Sequence, residues 1–104
     1  MSSIVSVYAV FADADEAQKI ARLVVEEKLA ACANILGPCR STYRWKGAVE
    51  EADEVAAILK ARADKAQALM ARIAELHSYD VPAIAIWPID RAWPAYVQWV
   101  ETEG

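Results

Sequence analysis

The run Lys28-Leu-Ala-Ala-Cys-Ala-Asn34, followed by Tyr43-Arg-Trp-Lys-Gly47 and the acidic segment Glu50–Glu54, constrains the fold more than any other part of the chain. Ala30–Leu36 reads as a strand, Gly37-Pro38 interrupts it, and Cys39–Trp45 resumes it, because Pro cannot donate to a ladder and Gly permits a bulge or bend. Lys46-Gly47 is the expected turn, after which a third strand returns through Val55–Lys60. The resulting hairpin carries Tyr43 and Trp45 near its tip, where a domain of 104 residues is not expected to bury both. Contact with a neighbouring chain is the expected use of these rings.

The remaining elements follow from periodicity and capping. Ile4–Ala12 alternates and is rich in β-formers, which predicts a first strand. Asp13 and Glu16 form a helix-capping pair, and Ala17, Ile20, Ala21, Val24 and Val25 recur at helical spacing behind it. Asp64 and Gln67 suggest a second cap, with Ala66, Leu69, Met70 and Ile73 as the inward stripe of a second helix. Ala83–Trp87, bracketed by Pro82 and Pro88, has the continuous apolar character of a strand covered on both faces. Pro94 suits the first position of a third helix carrying Tyr96, Val97, Trp99 and Val100. The order β-α-β-β-α-β-α, in one domain spanning 1–104, predicts an α+β fold: a ferredoxin-like βαββαβ sandwich with an extra C-terminal helix. The sheet face away from the first two helices needs a cover, which the last helix and neighbouring subunits can supply.

Charge and composition narrow the partners. A formal charge of −4 and a pI near 4.9 disfavour nucleic acid and anionic membrane surfaces. A hydrophobic share of 57% is high for a small monomer, yet no apolar run approaches the roughly 20 residues that span a bilayer, so the surplus points to a subunit interface. Residues 1–12 alternate like a strand and lack a basic segment and small-residue cleavage site, so a cytoplasmic location is expected. Cys32 and Cys39 lie seven residues apart on one strand, too far for a disulfide unless Gly37-Pro38 folds the strand back, so two reduced thiols are expected. With one His and no Cys-x-x-Cys, a closed structural zinc site within one chain is not expected.

The fold hosts several activities, each recognisable at its own site. RNA recognition needs stacking aromatics on strand three, where this chain has Glu54-Val-Ala-Ala-Ile-Leu-Lys60. Soft-metal chaperones carry paired thiols after strand one, and acylphosphatases an Arg in a Gly-rich anion cradle; Ala9-Val-Phe-Ala-Asp13 supplies neither. A single His and buried-looking thiols offer no nucleophilic triad, so no enzymatic activity is expected.

Lys28–Asn34, Tyr43–Gly47, His77-Ser-Tyr-Asp-Val-Pro82 and Trp93-Pro-Ala-Tyr-Val-Gln-Trp99, in that order, resemble the CutA family of divalent-cation tolerance proteins over nearly the whole chain. The resemblance implies a compact homotrimer similar to the PII signalling proteins, with sheets paired edge to edge and a role in copper and other divalent-cation tolerance. Family copper sites are described with a Cys at the end of strand one and adjacent histidines near the end of helix two. Ala9, Leu76 and His77 stand at those positions, so His77 is the metal-ligand candidate, alongside its alternative use as a helix-end hydrogen-bonding group.

Two functions are therefore expected as alternatives. The first is a non-enzymatic trimer that binds divalent cations weakly, with no required cofactor. The second is a PII-like module that senses a small polar ligand at subunit clefts, with Lys28, Cys32, Tyr43, Trp45, Glu54, Lys60 and Tyr79 as cleft candidates. Tyr43, Trp45 and Trp99 are the trimer-interface candidates.

Overall fold

The computed structural model describes residues 3–104, so the part of the N-terminal reading that falls on residues 1 and 2 lies outside the described residues. β1 (Ile4–Phe11) leads through Asp13 into α1 (Ala14–Glu26). Asp13 caps the helix by accepting the Glu16 N–H at 2.8 Å, while Glu16 reaches back to accept the Ala12 N–H at 3.0 Å, so the expected capping pair forms. Lys28, with φ of 61°, then turns the chain through the left-handed region toward the second strand.

β2 (Cys32–Trp45) and β3 (Ala48–Arg62) form one long hairpin. Lys46 and Gly47 have φ of 50° and 84°, the positive pair that a tight two-residue hairpin requires. The register slips between Ile35 and Gly37, and Gly37 takes φ of 106°, so the Gly-Pro break is a bulge inside a continuous ladder. Fourteen residues at about 3.3 Å each span roughly 45 Å, close to the 44 Å long axis of the molecule. The hairpin sets the length of the molecule, and its outer half stands clear of the helices.

A short 3₁₀ turn (Ala63–Lys65) runs into α2 (Ala66–Leu76). Here the expected Asp64–Gln67 cap is corrected. Asp64 instead accepts two bonds from Arg62, at 3.0 and 2.7 Å, and α2 begins with no side-chain cap. A two-pronged charge-assisted pair competes better for the carboxylate than a single backbone amide does. Among the described residues β4 (Ile84–Pro88) pairs only with β1, and α3 (Pro94–Glu103) follows with Pro94 in its first turn, as expected.

The sheet order is β2-β3-β1-β4 with every neighbouring pair antiparallel, and α1 and α2 lie against one face. This is the ferredoxin-like α+β architecture. Val5, Val7, Ala9 and Phe11 of β1 pack with Val24, Leu59, Leu69 and Ile73 in the main core. Alternation sends Ile4, Tyr8 and Val10 to the opposite face. There α3 covers one end, where Val100 seals a small cluster with Ile4 and Ala31. Met70 is only half-buried at the margin of its stripe.

Within a single chain, β4 is covered on one face. The strand is an edge strand, with Ile84 and Ile86 packed on the core and Trp87 47% exposed, stacked on Tyr8 at 4.9 Å. No helix among the described residues is long and apolar enough to cross a membrane.

Candidate ligand cleft

His77 follows the last turn of α2, where its N–H still bonds to the Ile73 carbonyl. Its ring is 9% exposed and stacks on Phe11 at 5.2 Å. Nε2 lies 2.7 Å from the Val10 carbonyl, which can only accept, and Nδ1 accepts the Tyr79 N–H at 3.1 Å. The hydrogen bonds thus assign the proton to Nε2. A metal at Nε2 would have to displace the Val10 carbonyl, and one at Nδ1 the Tyr79 amide. His77 ties the segment after α2 to the end of β1.

Glu16 ties the same segment to the start of α1, accepting the Ser78 N–H at 2.9 Å. Burial pushes its carboxyl up, but hydrogen bonds from Ser78 and the Ala12 amide outweigh burial and hold it below its ordinary value.

Held in this way, Tyr79 faces the hairpin. Its hydroxyl donates to Glu54 Oε2 at 2.7 Å, and Glu54 is 9% exposed. Burial first, then the Glu54 carboxylate, drives the tyrosine hydroxyl far above its ordinary pKa. Between this pair and the hairpin arm lies a cavity of about 480 Å³, lined by Tyr43, Trp45, Glu50, Glu54, Tyr79 and Asp80 among others. That volume falls within the range of small-molecule sites.

The seven cleft candidates therefore separate. Tyr43, Trp45, Glu54 and Tyr79 share the cavity. Cys32 and Lys60 face each other in register at the other end of the hairpin, where Cys32 Sγ meets the Tyr96 hydroxyl at 3.5 Å and Lys60 bonds to Asn34. Lys28 sits in the turn after α1, its carbonyl accepting from the Lys65 ammonium at 2.9 Å. Asp80 and Val10 belong to the cavity lining and Glu16, expected only as a capping residue, to its support; none of the three was a cleft candidate from sequence. The signal for Asp80 lay within the Tyr79-Asp-Val-Pro82 motif itself. Among the interface candidates, Tyr43, Trp45 and Trp99 are each about two-fifths exposed.

Both cysteines are free thiols. Among the described residues, no three His, Cys, Asp or Glu side chains group as a set that could hold a metal ion.

The CutA1 divalent ion tolerance protein family matches residues 5–103. The divalent-cation tolerance protein CutA of Pyrococcus horikoshii is 44% identical over 97 residues, covering 93% of this chain and 94% of that one. The crystal structure of CutA from Xylella fastidiosa is similar with a TM-score of 0.95 at 32% identity, covering 98% of each chain. A structure from Archaeoglobus fulgidus, described as a periplasmic divalent cation tolerance protein CutA, gives 0.93 at 34% identity over 96% of this chain and 97% of that one. On sequence and fold together, across nearly its full length, this chain belongs to the CutA1 divalent ion tolerance family.

Proposed function

We propose that this chain is a non-enzymatic homotrimer that takes part in the cytoplasmic response to divalent cations, copper among them, and binds those ions weakly. The observation that carries the reading is the family match over residues 5–103. The donor chemistry supports weak rather than tight binding. Both ring nitrogens of His77 already have partners, and one Glu54 oxygen is taken by Tyr79. An incoming ion must either displace these bonds or use the open carboxylates of the cleft. Exposed Tyr43 and Trp45 on the outer hairpin, and exposed Trp99 beside Tyr96 on α3, support assembly, since large aromatics facing water mark interaction surfaces.

Isothermal titration of the purified protein with Cu(II) and Zn(II), beside His77→Ala, tests this reading. Weak binding of either ion is the expected result, and a further loss in His77→Ala would place that side chain among the ligands in spite of its two existing hydrogen bonds. Unchanged affinity in the variant removes His77 from the ligand set, and no heat with either ion removes direct cation binding.

A second reading, a PII-like module sensing a small ligand, is favoured by one specific observation: the cleft is already formed within a single chain, with aromatic and carboxylate walls. In this reading metal is incidental and occupancy of the cleft is the signal.

A further inference from the structure

The face of the sheet away from α1 and α2 carries opposite charge at its two ends. Leu59 is fully buried in the main core, so alternation along β3 puts Glu50, Glu54, Ile58 and Lys60 together on the other face. At the outer end, Glu50 and Glu54 line the cavity with Asp80, Tyr43 and Trp45, and no Lys or Arg belongs to its lining. Lys46 lies over the Trp45 ring at the tip of the hairpin, and none of the three carboxylates forms an ion pair among the described residues. Glu51 and Asp53 are on the reverse side of the arm, where Arg40 pairs with them at 3.6 and 3.0 Å.

At the inner end, Cys32, Lys60, Ser6 and Trp87 form one row across all four strands. Lys60 stands in that row between two aromatic pairs. Trp87 stacks on Tyr8 to one side, and Tyr96, which meets Cys32 at 3.5 Å, stacks on Trp99 to the other. The Lys60 ammonium bonds to the Asn34 side-chain oxygen and has no carboxylate partner among the described residues. Glu54 and Lys60 lie about 20 Å apart along β3, at roughly 3.3 Å per residue, so the two ends cannot neutralise each other within one chain.

Both ends leave large aromatic rings half exposed, and their charges are complementary. A closed threefold ring joins unlike patches, because the surface one copy offers differs from the surface it receives. Two outer ends brought together would set carboxylates against carboxylates. Either end closed by an uncharged surface would strand its charge away from water. One end of each kind pairs the charges and covers both sets of rings.

We propose that copies of this chain meet head to tail on this face: the outer end of one copy, with Tyr43, Trp45, Glu50 and Glu54, receives the inner end of the next, so that Lys60 of the partner subunit faces those carboxylates. The proposal rests on the homotrimer reading above and names the surfaces and the charge pair that assemble it. A small ligand, on the second reading, would then meet walls from two copies.

Sedimentation equilibrium of the full-length protein over a range of concentrations, with a charge swap, tests it. Lys60→Glu and Glu50→Lys should each raise the concentration at which the trimer dissociates by roughly tenfold or more, and the double variant, which exchanges the charges at every contact, should recover most of that loss. Glu51→Gln, on the reverse side of the arm, should leave assembly unchanged. Neither Lys60 nor Glu50 belongs to a core cluster, so the variants should keep the wild-type circular dichroism. If Lys60→Glu unfolds the chain, Lys60→Gln and Glu50→Gln complete the same cycle, and additive losses there would overturn the pairing.

A trimer that neither single substitution weakens, or a double variant that recovers nothing, would overturn the head-to-tail pairing and leave the trimer standing. A wild type that sediments as a single chain would overturn the trimer reading and the proposal with it.

Discussion

On the face of the sheet covered by α1 and α2, Val7, Leu59, Leu69 and Ile73 are fully buried, whereas on the other face Tyr8 stacks on a Trp87 that is itself 47% exposed. The same contrast runs along the hairpin: its inner half pairs with β1 through β3 and packs beneath the helices, and its outer half carries exposed Tyr43, Trp45 and Val49. The chain thus completes one hydrophobic core alone and leaves a second apolar surface unfinished. The second is the physical argument for the proposed assembly, because open strand edges and grouped aromatics are features that a protein acting alone tends to blunt.

The sharpest test of the finished face is Leu59→Ala. The side chain is fully buried in the main core, and truncation there costs about 2–5 kcal/mol from lost transfer energy and the residual cavity. Urea titration should show the midpoint falling by that equivalent; a change below about 1 kcal/mol would mean that subunit contacts, not this core, hold the fold.

His77→Ala probes the junction between the two regions. It removes a ring packed on Phe11 and strands the Val10 carbonyl and Tyr79 amide, and each buried group left without a partner costs about 1–3 kcal/mol. The same titration should show this loss together with a loosened Tyr79–Glu54 bond, visible as faster hydrogen exchange across the 78–83 segment. Unaltered exchange there would mean that Glu16 alone holds the segment.

Glu16 gives the smallest expected effect and a signed pH dependence. Its carboxyl is held below the ordinary glutamate value of about 4.3, so its contribution is complete above that value and disappears as pH falls through the lower folded-state value. Glu16→Gln should therefore be less stable than wild type near neutral pH, with the gap closing in acid. A gap that persists in acid would show that shape, rather than charge, matters at this position.

Much of the fold was legible in the sequence because its signals are local. The period of β1, the Asp13–Glu16 cap, the Lys46-Gly47 turn and Pro94 at the head of α3 each act within a few residues. What escaped depends on partners distant in sequence or on competition. An apolar run such as Ala83–Trp87 reads the same whether its second face is covered by its own chain or left open, and Asp64 reads as a cap until Arg62 claims it. The cleft was half legible for a similar reason. Tyr43, Trp45, Glu54 and Tyr79 could be named as binding candidates, but only the long hairpin's placement against the 79–83 segment separates them from Lys28, Cys32 and Lys60. The burial of His77 depends on partners in β1 and in the following loop, which helix-end reasoning does not reach.

The central claim is that the unfinished face and the outer hairpin are completed by other copies of this chain, with Trp45 at the contact. Sedimentation equilibrium of the wild-type protein at micromolar concentration, beside Trp45→Ala, tests it most directly. A large aromatic truncated at a packed interface commonly costs roughly 2 kcal/mol or more, and threefold symmetry repeats that loss at three contacts. The account expects the wild type at three times the 11.4 kDa chain mass and the variant dissociated or markedly shifted toward single chains. A wild type that sediments as a single chain, or a Trp45→Ala trimer as resistant to dilution as the wild type, would contradict it.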